Sequence, residues 1–180
     1  MSRLAYAVLV GLVGAGIVHI SILFLLPQFT ERDAWSQLSA VSDFYTVTPI
    51  SGTAATTPLV RSLDPLFSAV ACRFDLADGP VHVQSPGRVP FWSMSVYDRN
   101  GLNIFSFNDR TTVDGRVNFV VLTPVQTIEV RKQLPEEFIN SVFVEADIDQ
   151  GIVVVRAFVP DQTWRSAVAD FLGSIACVSR

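Results

Sequence analysis

The hydrophobic and polar positions divide the chain into three stretches. From Leu4 to Leu26 no residue carries a charge. At 1.5 Å per residue such a run reaches about 34 Å as a helix, enough for a hydrocarbon core of about 30 Å. It predicts a transmembrane anchor over residues 1–26, with the lipid bilayer as its partner. A secretory signal peptide is the competing reading. Its apolar region, however, normally spans about 7–15 residues and ends in a small-x-small site, and the PQFTERDAW that follows offers none. Arg3 and the amino terminus precede the run, and Glu31-Arg32-Asp33 follow it without a positive excess, so the N-terminus is expected in the cytoplasm and the rest outside it.

Residues 27–63 read as a helical stub and a spacer. Thr30 with Asp33 three positions later resembles a capping box, and Trp35 and Leu38 share a helix face. Trp35 would lie near the interfacial belt. The stretch from Thr46 to Pro58 is rich in turn formers and hydroxyls and has no periodicity, which predicts an irregular loop.

From residue 64 to residue 180 the pattern is that of a β-rich domain. The runs AVACRFDL, PVHVQ, FWSMSVYD, NIFSFN, NFVVL, SVFVEAD and IVVVRAFV are separated by turn signals at short intervals. Thr123-Pro124-x-Gln126 reads as an N-cap, a proline at the first helical position and a capping-box glutamine, so PVQTIEVRKQ is expected to be a short helix. Asp161 can cap a last helix whose Trp164, Val168, Phe171, Leu172 and Ile175 form one apolar stripe. The expected fold class is α+β: an N-terminal transmembrane helix, an antiparallel-rich, sandwich-like sheet domain, a short internal helix and a C-terminal helix.

Asn100-Gly101 is the strongest local signal, because both residues accept positive φ and favour a two-residue type I′ hairpin. That turn sets Val96 opposite Phe105, Met94 opposite Phe107 and Trp92 opposite Asp109. One face, with Trp92, Met94, Val96, Phe105 and Phe107, is then core. The other pairs Tyr97 with Ile104, Ser95 with Ser106 and Ser93 with Asn108. It forms a shelf of small polar groups that could bond a ligand and leave room for it; a solvated sheet face is the plainer reading.

Composition narrows the chemistry. With 49% hydrophobic and 17% charged residues the chain is too apolar for disorder, and a net charge of −4 gives no basic field for nucleic acid. All 17 acidic residues lie beyond the apolar run, which argues against adhesion to anionic headgroups. No Gly-x-Ser-x-Gly elbow, His-Glu-x-x-His or Cys-x-x-Cys occurs, so no catalytic residue, metal or cofactor is expected. His82 alternates away from the inward valines of PVHVQ and is expected to be exposed. Lys132 reads as a solvated charge at a helix end. Asp98 and Asp109 are too far apart in the derived ladder, about 20 Å at ~3.3 Å per residue, to act as a carboxylate pair.

Within the apolar run, Ala7, Gly11 and Ala15 form a small-xxx-small ridge that could receive a membrane-protein partner or a second copy. His19 lacks a polar partner there and is expected to bond a carbonyl or headgroup. The only two cysteines, Cys72 and Cys177, are candidates for a disulfide in an exported domain. Cys72 alternates inward, whereas Cys177 joins no stripe unless Gly173 ends the helix, so two unpaired thiols stay open as the alternative. Asn108, Asp109 and Arg110 would meet Trp92 at one strand end, where a cation, a carboxylate, an amide and a large ring suggest a ligand site.

The stretch with Asp64-Pro65, Ala71-Cys72-Arg73-Phe74-Asp75-Leu76, Pro90-Phe91-Trp92-Ser93, Tyr97-Asp98, Gly101-x-Asn103 and Asn108-Asp109-Arg110 resembles the bacterial family named domain of unknown function 1254. Thr123-Pro124-x-Gln126 and Val159-Pro160-Asp161-x-x-Trp164 fit it as well. The resemblance implies a β-rich fold in the cell envelope, in small members held by a single span in the bacterial inner membrane with the main domain periplasmic. It brings no established catalytic residue. The function expected from the whole is a membrane-anchored binding or accessory module. The alternatives are an envelope hydrolase centred on Trp92, Asn108, Asp109 and Arg110, and a structural subunit of a membrane complex.

Overall fold

A computed structural model describes residues 2–51, 64, 66–112 and 114–180, with the backbone alone over 26–33. Helix α1 (Arg3–Val41) is continuous over 39 residues. The Ser2 hydroxyl caps it by accepting the Ala5 N–H at 3.3 Å. Its Arg3–Leu25 segment is long and apolar enough to cross a membrane, a property that anchors and signal sequences share, and no part of the body covers it. Ala7, Gly11, Ala15 and His19 are accordingly exposed.

The helical stub expected from residue 27 is a continuation of α1. Proline removes one i→i−4 bond, yet the backbone is helical on both sides of it, so Thr30 and Asp33 lie inside α1 and start no helix. Tertiary packing stabilises the last turns: Leu38 is buried with Ala71 and Ile152, and Trp35 packs on the same cluster. Arg73 fastens the helix end. Its guanidinium lies 4.7 Å from the Phe44 ring and 5.2 Å from the Trp35 ring and donates to the Ser42 carbonyl. A cation over two aromatic faces at a helix C-terminus is favoured by both ring quadrupole and helix dipole.

Among the described residues nine strands form two sheets. The first is five-stranded and antiparallel throughout, in the order β1 (Val47–Pro49), β2 (Phe67–Asp75), β8 (Gln150–Phe158), β4 (Trp92–Asp98), β5 (Asn103–Asn108). The second is four-stranded, in the order β7 (Val142–Glu145), β6 (Asn118–Leu122), β3 (Val81–Gln84), β9 (Ala176–Ser179). Its β6 and β7 are parallel, joined through α2 (Pro124–Lys132). Alternate residues of both sheets meet in one core, among them Val70, Phe74, Trp92, Val153, Val83 and Phe119. Helix α3 (Arg165–Gly173) closes it with Val168, Phe171 and Leu172. The result is α+β, as its pattern predicts.

All seven predicted β-runs are strands; β1 and β9 are additional. β1 occupies part of the expected loop, where Val47 pairs with Cys72 and Pro49 with Val70. Proline is tolerated there because β1 is an edge strand. Residues 52–58 of that loop lie outside the described residues. The capping box of α2 is present, with Thr123 N–H to Gln126 Oε1 at 2.9 Å and Gln126 N–H to Thr123 Oγ1 at 3.2 Å. Asp161 caps a 3-10 turn over Gln162–Trp164 that runs into α3. That tighter turn rotates Trp164 off the stripe and leaves it 38% exposed. The Asp161 carboxyl is held below the usual range by bonds from the Thr163 hydroxyl and N–H.

The hairpin departs from the expected turn in two places. Asn100 keeps a negative φ, and only Gly101 is left-handed, at 87°. Gly101 N–H bonds Asp98 O at 3.1 Å and Asp98 N–H bonds Leu102 O at 3.0 Å, a three-residue loop closed by a glycine bulge. One residue later Tyr97 pairs with Asn103, and a second irregularity restores the expected pairs Val96–Phe105, Met94–Phe107, Ser95–Ser106 and Ser93–Asn108. Ile104 is the extra residue and packs on the core instead of facing Tyr97. Phe105, expected in the core, is 41% exposed because β5 is an edge strand.

His82 is buried, contrary to its expected exposure. α2 and the turn at 136–138 cover that sheet face, Phe138 stands edge-on to the imidazole at 5.2 Å, and His82 Nε2 lies 2.9 Å from Asn118 Oδ1. Tyr45, half-buried against the core, is a second anchor. It has a positive φ of 62°, and its hydroxyl lies 2.6 Å from Asp78 Oδ2 and 2.8 Å from the Asp75 carbonyl. Burial first, then the hydrogen bond to Asp78, pushes its phenol from 10.0 up to about 12. A folded value above the unfolded one contributes stability that is intact below pH 10 and lost as pH rises towards 12. Ultraviolet titration should show the Tyr45 phenolate forming near pH 12. In Tyr45→Phe that late step disappears and the alkaline fall in stability flattens; an unchanged titration would refute the anchor.

Candidate functional site

The outer face of the five-stranded sheet is where the expected shelf falls, and α1 turns part of it into a groove. Ala34, Gln37 and Leu38 of α1 form one wall, and Ala69, Ala71, Ile152 and Val154 form the floor. The cavity measures about 760 Å³. This is within the ~300–1,000 Å³ typical of sites that enclose one small ligand. At one end Phe67 stands edge-on to Phe91 with ring centroids 6.4 Å apart, and Ile50 closes the side. Ser93, Tyr97 and Arg156 supply polar atoms along the opposite rim, and Asp64 borders the aromatic end.

The register explains this placement. β8 is a central strand whose inward Val153, Val155 and Ala157 enter the core, leaving Ile152, Val154 and Arg156 on the outer face. Arg156 leaves the strand opposite Ser93, and its Nη2 reaches the Tyr97 hydroxyl at 3.1 Å. Among the described residues the ion pairs are Arg116–Asp114 and Arg180–Glu137, so Arg156 meets no carboxylate at pairing distance.

The structure separates the expected ligand residues into four places. Ser93 and Tyr97 line the groove. Ser95 and Ser106 bond each other at 2.8 Å further along the same face, with Asn103 donating to Ser106 at 2.9 Å. Asn108, Asp109 and Arg110 lie at the end of β5, where the Asn108 side chain accepts the Arg110 N–H at 3.1 Å within its own turn. Asp109 lies beyond the ladder and does not pair with Trp92. Trp92 is fully buried on the opposite face of the sheet, and its indole N–H donates to the Gly115 carbonyl at 2.8 Å. It therefore touches none of the shelf residues' solvent. Cys72 and Cys177 are joined by a disulfide between β2 and β9; Gly173 ends α3, and Ser174 and Ile175 redirect the chain.

Leu38, Phe67, Ile152, Val154 and Arg156 complete the groove, and none stands out in the sequence as a ligand residue. The available signal is the run IVVVRAFV, apolar at successive positions, which marks a strand covered on both faces. Among the described residues no group of three or more His, Cys, Asp or Glu is placed to hold a metal ion.

Fold and site together define an α+β protein with an uncovered apolar N-terminal helix and an apolar groove on the outer face of its larger sheet. The chain belongs to the family described as protein of unknown function DUF1254, whose model matches residues 42–177. Among curated proteins none matches it. The crystal structure of the VPA0106 protein from Vibrio parahaemolyticus is similar with a TM-score of 0.60 at 12% identity, over 86% of this chain and 36% of that one. An uncharacterized protein from Burkholderia cenocepacia gives a TM-score of 0.47 at 16% identity, over 76% of this chain and 37% of that one. The chain thus spans little more than a third of those proteins, and the first shares its fold.

Proposed function

We propose that the chain is a single-span protein of the bacterial inner membrane whose β-rich body lies in the periplasm and binds a small apolar ligand. The groove between α1 and the five-stranded sheet carries this reading, because a preformed apolar cavity rimmed by a few polar groups is what a ligand site requires. The apolar segment of α1 supports the anchor, and the helix that leaves it becomes the groove wall. Among the described residues no nucleophile stands beside a base at Asn108, Asp109 and Arg110, where the Asn108 side chain is spent on its own turn, so the binding reading is preferred to a hydrolase.

Alkaline phosphatase fused after Arg180 is expected to be active in a bacterial host; an inactive fusion beside an active cytoplasmic reporter reverses the topology. Native mass spectrometry of the full chain, extracted from membranes in polymer discs, checks the groove. Wild type carries a bound small molecule that is missing from Ser93→Trp, in which an indole fills the cavity. Identical spectra from the two proteins refute the binding reading.

A further inference from the structure

We propose that the ligand of this groove is a long-chain fatty acid, its acyl chain on the apolar floor and its carboxylate on Arg156 and Tyr97. The inference rests on the binding reading and adds the ligand's chemistry. Four observations carry it.

The floor and wall offer hydrocarbon contact along the length of the cavity, from Phe67 and Phe91 past Ala71 and Val154 to Leu38. The volume of about 760 Å³ suits one chain better than the two of a phospholipid. Among the described lining residues positive charge sits at one place. Arg156 leaves β8 opposite Ser93, reaches Tyr97 and has no carboxylate partner among the described residues. A guanidinium fork beside a phenol hydroxyl donates two parallel N–H bonds and one O–H bond to a carboxylate.

The fourth observation sets the ligand's charge. Asp64 borders the aromatic end, its Oδ1 accepting the Leu66 N–H at 2.9 Å, and is the one acid lining the groove among the described residues. One lining cation and one lining anion favour a monoanion over a phosphate dianion. The source of such an amphiphile is adjacent. Ala34 to Leu38 follow Leu25 on the same helix by about 14–20 Å at 1.5 Å per residue, within the reach of a molecule leaving the bilayer surface.

The test uses the full chain in phosphatidylcholine vesicles with a diazirine-bearing palmitate, photolysed and mapped by peptide mass spectrometry. Labels are expected on β2, β4 and β8 of wild type. Excess palmitate should suppress them about tenfold better than hexadecanol, the difference a charge-assisted bond makes, and better than hexadecyl phosphate. Arg156→Gln should erase that preference. Ser93→Trp should abolish labels on the sheet while those on the apolar half of α1 persist; Val154→Trp serves the same purpose if the first variant does not fold.

Equal competition by hexadecanol, or stronger competition by hexadecyl phosphate, overturns the carboxylate and leaves the binding reading standing. Labels confined to the apolar half of α1 overturn the fatty acid as ligand. If the extracted wild-type protein also carries no small molecule, the binding reading falls with it.

Discussion

Replacing both Cys72 and Cys177 by alanine is expected to lower the unfolding free energy by about 4–5 kcal/mol in the chain-entropy view of cross-links. The bridge closes a sequence separation of 105 residues, and it ties an inner strand of the larger sheet to an edge strand of the smaller one. Among the described residues β9 pairs with β3 alone. Without the bridge it keeps a single ladder, so local opening at the C-terminus should precede global unfolding. Urea unfolding of the oxidised wild type and the double variant measures the first effect, and amide exchange over Ala176–Ser179 the second. A difference under about 1 kcal/mol would show that the reduced chain is already held by its core, against the loop-closure account.

Trp92→Ala is expected to cost about 3–5 kcal/mol, the usual loss for truncating a fully buried large aromatic. The ring fills the space beside Phe107, with centroids 5.9 Å apart, and close packing in a core limits how far neighbours relax into such a gap. Trp92→Phe retains most of the packing but leaves the Gly115 carbonyl without its donor, for a loss of about 1–2 kcal/mol. Thermal unfolding separates the two. Folded Trp92→Phe should bind the groove ligand as wild type does, since residue 92 faces the core. A variant that folds normally yet fails to label on β2, β4 and β8 would place Trp92 at the ligand instead.

The strands and caps were legible because each rests on local chemistry. Thr123, Pro124 and Gln126 specify the start of α2 whatever surrounds them, and the alternation of Trp92, Met94 and Val96 assigns their face. β1 ends on a proline in a stretch rich in turn formers, and β9 follows directly on the apolar stripe of the last helix, so neither carries a strand signal of its own. His82 misled because its cover, Phe138, arrives from more than fifty positions away. The pairing of Ser95 with Ser106 emerged correctly through two errors that cancel: the loop is one residue longer than expected, and Ile104 bulges out of the ladder to compensate.

The groove was half legible. Ser93 and Tyr97 belong to the predicted shelf, but the wall that makes the shelf a cavity is contributed by residues 34–38 of α1. A proline at position 27 argues locally for the end of a helix. Only the burial of Leu38 against Ala71 and Ile152 decides otherwise, and no local rule reports a contact so distant in sequence.

The bulge at Ile104 has an effect on how copies of the chain meet. β5 is the outermost strand on its side of the sheet, with Phe105 on it and Leu102 just before it turned towards solvent. A straight strand with such side chains would template the addition of another and begin a ribbon. The extra residue interrupts the spacing of the free N–H and C=O groups and increases the local twist. A neighbouring molecule arriving side-on meets an interrupted ladder, which disfavours growth of a ribbon along this edge.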